Sequence, residues 1–325
     1  MTKLKTPYYK QNRLKQLRAF CHAAQSGSIT EAAEMLFLSQ PSVTLQIQAL
    51  EREMEITVFE RRGPKISLTP EGEVLYQLAS PLVEGIDRLG ESFAAHMGDL
   101  QRGELNIAAG ESTILYVMPD VTKTFAQEYP GISMKLQNVT GRDGLSMIRS
   151  DQVDFAVGSM LEVPDDIRYE PIVTYYPALV CAKDHPLAKK NIVTLEDIAE
   201  YGMILPPRHL STWRIVELVF NQHNLEFNVA LEAGGWEVIK KYVTMGMGVS
   251  IVTDVCLTGD DALCAKPLGK YFPTRTYGIV SRRGKFLSPA AVRYIDMLRD
   301  FYADRDPAEI SICADCSKER KRSAG

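Results

Sequence analysis

The 325-residue chain has no apolar run approaching the ~20 residues a membrane-spanning helix needs, which excludes a bilayer-embedded α-helical protein. Lys3, Lys5 and Lys10 open the chain, but no apolar segment follows them, so export by a signal peptide is not expected. Cysteine is sparse. Cys21, Cys181, Cys256, Cys264, Cys313 and Cys316 follow no framework spacing, which fits a reducing, cytoplasmic setting. The five histidines (His22, His96, His185, His209, His223) show no metal-ligand spacing, and neither a glycine-rich phosphate loop nor a Gly-x-Ser-x-Gly elbow is present. With no nucleophile or acid/base set in view, the chain reads as a non-enzyme requiring neither metal nor cofactor.

What is present is unevenly distributed. The net charge is -4, yet residues 1–70 hold ten Lys/Arg against six Glu, so a head of +4 sits on a body of -8. A basic head on an acidic body points to a nucleic-acid module joined to a unit with another task. At ~100–200 residues per domain the length allows two or three units, and a 45% hydrophobic share is enough to build their cores.

Near the N-terminus, Leu14, Leu17, Phe20, Cys21 and Ala24 recur at helical spacing and stop at Gly27. Ser28 then caps a short helix, Ile29 to Leu36, whose Ala32-Ala33 pair lets another helix cross closely. Ser39 caps the next helix, with Pro41 in its first turn and Val43, Ile47 and Leu50 as its buried stripe, running to about Met54. Ser42, Thr44, Gln46 and Gln48 remain on or near its open face. Hydroxyls and carboxamides at the start of such a helix can read base edges in a major groove. The candidate DNA-contacting residues of this helix-turn-helix are Ser28, Thr30, Ser39, Gln40, Pro41, Ser42, Thr44 and Gln46.

Arg61, Arg62 and Lys65 flank Gly63-Pro64, and short strands on either side make a wing whose cations are placed for phosphate contact. Thr69-Pro70-Glu71-Gly72 starts a helix reaching about Met97, with an apolar seam through Val74, Leu75, Leu78, Leu82, Val83, Ile86, Leu89 and Phe93. That seam needs a partner. A second copy of the helix supplies one, as two-fold operators require.

From Gly103 strands and helices alternate: strands at 104–109, 133–139 and 153–158, with helices at 115–129 and 145–150. A second unit contains a strand at 178–182, a helix at 212–223, a strand at 228–232, a helix at 236–244 and a strand at 249–252. An extended run at 274–282 leads into a last helix, 289–302. The pattern predicts mostly parallel sheets, with crossings near Tyr176-Pro177 and Thr276-Tyr277-Gly278 that hinge two lobes around a cleft. Strand ends and helix starts facing such a cleft supply candidate ligand groups. These are Gly110, Ser112 and Thr113 after the first strand, Thr140 and Arg142 after the second, and Ser211, Thr212, Trp213 and Trp236 in the other lobe.

Residues 13–70 resemble the DNA-binding domain of the LysR-type transcriptional regulators through several ordered motifs. They are Leu17-x-x-Phe20, Gly27-Ser28-x-Thr30-x-Ala32-Ala33, Leu38-Ser39-Gln40-Pro41-Ser42-Val43-Thr44, Ile47-x-x-Leu50-Glu51, Phe59-x-Arg61 and Leu68-Thr69-x-x-Gly72. Two features depart from that pattern: an extension of about a dozen residues at the start, and Met54-Glu55-Ile56-Thr57 in place of a commoner Leu-Gly-x-x-Leu. The resemblance continues to about residue 303 through Asp154-Phe155-Ala156-Val157-Gly158 and Tyr242-Val243-x-x-Gly246-x-Gly248-Val249. Glu232-Ala233-Gly234-Gly235-Trp236 and the residues to Val243 look closest to the CysB subgroup.

The resemblance implies an α/β chain with a winged helix-turn-helix (1–69, with its N-terminal extension), a linker and dimerisation helix (70–98) and a periplasmic-binding-protein-like effector domain (103–303), and residues 304–325 read by composition as a disordered polar tail. Lobe 1 takes 103–176 and 278–303, and lobe 2 takes 177–277. It also implies double-stranded operator DNA, a second copy in a dimer or tetramer, RNA polymerase, and a small, anionic effector as partners. CysB-type relatives hold an anion with hydroxyls. Here Ser112 and Thr113 are kept, but Gly110 and Arg142 differ, so the same ligand does not follow. Two other readings are weighed beside this one. A solute-binding protein fits the lobes but not the DNA-reading head. A redox-responsive regulator would use Cys313-Ala314-Asp315-Cys316, although two cysteines supply only half of a usual zinc site.

Overall fold

The computed structural model describes residues 12–62, 65–87, 89–90, 93, 102–257 and 262–303. The N-terminal extension and the tail with Cys313 and Cys316 lie outside the described residues.

Helix α1 (Arg13–Ser26) ends at Gly27, whose φ of 67° puts it in the left-handed region while its N–H donates to the Ala23 carbonyl. The Ser28 hydroxyl accepts from Glu31 N to start α2 (Ile29–Met35), and the Ser39 hydroxyl accepts from Ser42 N to start α3 (Gln40–Met54). Both caps stand where the sequence put them. The three helices close around Phe20, Ala32, Val43 and Leu50, all fully buried. Each large side chain so buried contributes about 1.5–3 kcal/mol of transfer free energy. The Glu51 carboxylate accepts from Val58 N at 3.0 Å and fixes the entry to the wing. Strands β1 (Phe59–Arg62) and β2 (Lys65–Leu68) pair antiparallel, with Phe59 opposite Leu68.

Thr69 joins the wing to α4 (Pro70–Asp87): its hydroxyl donates to Thr57 O at 2.7 Å and accepts from Gly72 N at 2.9 Å. A Cβ on Gly72 would stand 2.2 Å from Val58 O, so only glycine allows this approach. Helix α4 presents different sides to different neighbours. Ala79 and Val83 are buried with the head, and Arg18 pairs with Asp87, whereas Val74, Leu78, Leu82 and Ile86 form an exposed stripe at four-residue spacing. Leu89 and Phe93 are exposed as well; most of 88–101 lies outside the described residues, as does the expected helix end near Met97.

Lobe 1 is a five-stranded sheet in the order β4-β3-β5-β12-β6. Its strands are β3 (Gly103–Ala109), β4 (Ile132–Asn138), β5 (Phe155–Gly158), β6 (Ile167–Tyr175) and β12 (Arg275–Arg282). Helices α5 (Pro119–Glu128), α6 (Gly141–Arg149) and α10 (Pro289–Ala303) cover it; Tyr294 and Leu298 of the last pack with Leu105, Phe125 and Phe155. Lobe 2 holds the antiparallel sheet β10-β7-β11 and the parallel pair β8-β9. These strands are β7 (Pro177–Ala182), β8 (Gly202–Leu205), β9 (Asn228–Glu232), β10 (Ser250–Thr253) and β11 (Leu263–Pro267). Its helices are α7 (Leu195–Ala199), α8 (Ser211–Gln222) and α9 (Trp236–Thr244).

Three expectations change. The sheets are mixed rather than mostly parallel: β3 runs parallel to β4 and β5, but β12 lies antiparallel to β5 and β6 because it returns from the other lobe. The helix expected over 115–129 is a π-helical turn (Thr113–Val117) followed by α5, since Pro119 has no N–H to continue the ladder. The first crossing is at Tyr176-Pro177, where Tyr176 N donates to the Asp254 carboxylate and Asp254 N to Tyr176 O. The second lies between Pro267 and Arg275, earlier than 276–278, because all of β12 pairs with β6.

A buried ionic cluster fastens α4 to lobe 1. The Asp151 carboxylate lies 2.7 Å from Lys285 Nζ and 3.0 Å from the Arg282 guanidinium, with these side chains 5%, 4% and 8% exposed. From α4, Glu84 reaches Arg282 at 3.7 Å and the Tyr76 hydroxyl reaches Asp151 at 3.5 Å. Burial, reinforced by the Asp151 charge, raises the Glu84 carboxyl above its ordinary range and pushes the Tyr76 phenol up to about 12.

Candidate functional site

The residues expected to read base edges lie at the start of α3. Ser39, Gln40 and Pro41 are exposed and Ser42, Thr44 and Gln46 half-buried. Some of these groups are already engaged: Ser39 Oγ and Ser42 Oγ lie 2.8 Å apart, and Thr44 Oγ1 donates to Gln40 O. Ser28 is a cap, while Thr30 beside it is exposed. Arg61, Arg62 and Lys65 have their backbones in the wing strands, and their side chains lie outside the described residues.

Where the lobes meet, a solvent-open cleft of about 640 Å³ is lined from both sides and from both crossings. Lobe 1 contributes Met160 and Leu161 after β5, and lobe 2 contributes Thr212, Ile215 and Trp236. Thr253, Phe272 and Arg275 come from the hinge. Thr212 and Trp236 were expected here. Trp213 was too, but it is 4% exposed, packed in the lobe 2 core against Phe227, with Arg208 stacked 5.0 Å from its ring. Successive residues of a helix point about 100° apart at 3.6 residues per turn, so Trp213 turns from the cleft into the core while Thr212 lines it. Ser211 is half-buried and serves indirectly: Arg275 donates to its hydroxyl, and to that of Thr212 at 3.3 Å.

The loops after β3 and β4 do not line this cleft. Gly110 stands beside Val139, Thr113 is buried, Thr140 caps α6 by accepting from Asp143 N, and Ser112 and Arg142 lie outside the lining. Lobe 2 closes over the first of them: a Cβ on Gly235 would stand 2.8 Å from the Glu111 carboxylate, and Tyr116 OH donates to Glu237. Sequence reasoning missed Arg275, whose partners lie far along the chain, and Thr253, whose buried hydroxyl has no hydrogen-bond partner. The available signal was that both sit at strand ends beside the crossings, where two lobes must share residues.

Among the described residues no helix is long and apolar enough to cross a membrane, and no His/Cys/Asp/Glu group could hold a metal ion. Two family models match the chain. "Bacterial regulatory helix-turn-helix protein, lysR family" covers residues 14–73, and "LysR substrate binding domain" covers 98–303. The regulator SsuR of Burkholderia cenocepacia is 30% identical over 280 residues, covering 84% of this chain and 90% of that protein. CysB of the same organism is 28% identical over 281 residues, covering 84% and 88%. A full-length OxyR variant from Pseudomonas aeruginosa shares the fold, with a TM-score of 0.64 at 19% identity over 90% of this chain and 98% of that one. CbnR in complex with its target DNA has a TM-score of 0.52 at 21% identity, over 88% and 98%. These relatives are transcription regulators rather than enzymes. The chain belongs to the LysR-type transcriptional regulators, with a helix-turn-helix DNA-binding head and an effector-binding domain.

Proposed function

We propose that this chain, assembled as a dimer or tetramer in the cytoplasm, binds a two-fold operator in double-stranded DNA and changes its grip when a small anionic metabolite occupies the cleft between the lobes. The observation that carries the reading is the cleft itself, lined by both lobes and both crossings and holding Arg275. A ligand there touches every part that must move if the lobes close. The exposed stripe of α4 supports self-association, and the exposed start of α3 supports base contact. RNA polymerase is the partner through which a changed grip would act on transcription. Occupancy shifts the assembly only by the difference in ligand affinity between its two arrangements.

Footprinting on genome-mapped binding sites, with and without metabolites of the neighbouring pathways, tests this. The expected result is a footprint that shortens or shifts with one of them. A footprint and promoter output indifferent to every metabolite would refute control by a small molecule.

A further inference from the structure

The sheet of lobe 2 holds a pair of nucleophilic groups that neither DNA reading nor the cleft uses. Strands β7 and β11 run antiparallel, and their register sets Cys181 directly opposite Cys264, both as free thiols. Side chains alternate across a strand. Both sulfurs belong to the face that packs with Leu179, Leu187 and Ile251, while Ala178 and Val180 of β7 and Ala265 of β11 turn to the other face. The two thiols therefore face each other on one side of the sheet. Of the other described cysteines, Cys21 lies in the head, and Cys256 packs against the opposite face, where its thiol donates to Thr253 O at 3.1 Å.

Directly opposed residues of an antiparallel pair have Cα atoms about 4.5 or 5.5 Å apart, and both spacings lie inside the ~4.4–6.8 Å that a disulfide spans. Their Cβ atoms stand about 4.5–5.5 Å apart, against ~3.5–4.5 Å in a disulfide, so closing the bond draws the strands together at a cost in strain. Strained disulfides are readily reduced, which suits a bond that opens again rather than a permanent staple. The two sulfurs are not equivalent. Cys181 is fully buried, and burial, with the Cys264 sulfur beside it, pushes its thiol up to about 12, against a smaller opposing pull from the Lys266 charge. Cys264 is only half-buried, so an oxidant meets it first.

We propose that Cys181 and Cys264 form a reversible redox switch, which a hydroperoxide closes into a cross-strand disulfide. The Cys264 sulfur attacks the peroxide: an S–O bond forms, the O–O bond breaks, and the departing oxygen takes the thiol proton. That leaves a sulfenic acid on Cys264 and an alcohol, or water when the oxidant is hydrogen peroxide. The Cys181 sulfur then attacks the sulfenic sulfur. The S–S bond forms as the S–O bond breaks, and the leaving hydroxide takes the Cys181 proton as water. Two electrons pass from the thiols to the peroxide, and a dithiol reductant returns them by exchange.

The bond would act on the connections between the lobes. Strand β7 starts at Pro177, beside the first crossing, and β11 ends at Pro267, beside the second; Leu268 N then donates to Pro177 O at 2.9 Å. Joining the two strands covalently stiffens the base from which both connections to lobe 1 leave. This assignment is independent of what occupies the cleft.

Peptide mapping tests it. Full-length protein is reduced, treated with hydrogen peroxide, denatured with a thiol-blocking reagent present and digested without reductant. The peptides holding Cys181 and Cys264 should emerge joined, lighter than their sum by two hydrogens, and should separate after dithiothreitol. Cys181→Ala should instead leave Cys264 as a sulfenic acid that dimedone captures, and Cys264→Ser should leave Cys181 reduced. Cys313→Ser with Cys316→Ser should cross-link as the wild type does. In the oxidised protein, amides of β7 and β11 should exchange about 10-fold more slowly and those of α1 at an unchanged rate.

Recovery of both thiols in reduced form after peroxide would overturn the proposal. So would a bond from Cys264 to Cys313 or Cys316, or a cross-link that leaves the exchange of β11 unchanged. The wild-type digest decides the first two outcomes even where a variant misfolds.

Discussion

Asp151→Asn tests whether the ionic cluster between α4 and lobe 1 clamps the head to the sensor. Asp151 has a φ of 55°, a left-handed conformation that asparagine tolerates about as well as aspartate, so the substitution removes charge with little backbone cost. It leaves Lys285 and Arg282, 4% and 8% exposed, without the carboxylate they share at 2.7 and 3.0 Å. Breaking a buried pair from one side costs about 3–5 kcal/mol. Glu84, 3.7 Å from Arg282, partly compensates, which favours the lower end, about 3 kcal/mol.

Both tryptophans, Trp213 and Trp236, lie in lobe 2, so intrinsic fluorescence would miss this event. Amide hydrogen exchange reads it directly. Amides of α4 near Ser80 and of β12 near Arg282 should open about 100- to 200-fold faster, at one decade per ~1.4 kcal/mol. Amides of α8 should not change. Adding Lys285→Met should recover part of the loss, because it removes one stranded cation. A local change below ~1 kcal/mol, or one spread evenly over both lobes, would refute the clamp.

Four further outcomes follow from the same geometry. Glu84 has a folded pKa above its usual 4.5, so the stability it supplies is present below that value and is lost as pH rises through the folded one. Glu84→Gln should therefore melt at or above the wild type, with the gap opening upward from about pH 4.5; a gap that opens only on acidification would contradict this. Ser39→Ala should cost the head about 0.5–2 kcal/mol through its lost cap, whereas Gln40→Ala, an exposed position, should lower operator affinity in a mobility-shift titration without moving the melt. Leu78→Asp with Leu82→Asp, on the exposed face of α4, should shift sedimentation toward monomer; an unchanged assembly would assign the stripe elsewhere. Burial pushes the Cys21 and Cys181 thiols up to about 12, so iodoacetamide at neutral pH should spare both in the native protein, and mass spectrometry showing rapid Cys21 alkylation would refute that burial.

The head was legible because its determinants are local. Ser28, Ser39 and Gly27 act within four residues of the backbone groups they satisfy, and the stripe Val43, Ile47, Leu50 repeats every turn. The lobes were legible only as alternating elements. Strands β6, β8 and β11 left no separate signal, and the direction of β12 depended on its return from lobe 2. Among the expected ligand residues, Thr212 and Trp236 line the cleft at helix starts, while Trp213 next door turns into the core.

The sequence by itself determined a winged DNA-reading head, an amphipathic connecting helix and a two-lobed body, since each is written in spacings of a few residues. Only the tertiary structure decided that Arg275 meets Ser211 across 64 positions, that Thr253 is left without a partner in the same cleft, and that Asp151 meets Lys285 across 134. Polar contacts between distant segments impose no period on the chain, so they become visible only when folding brings the partners within hydrogen-bonding range.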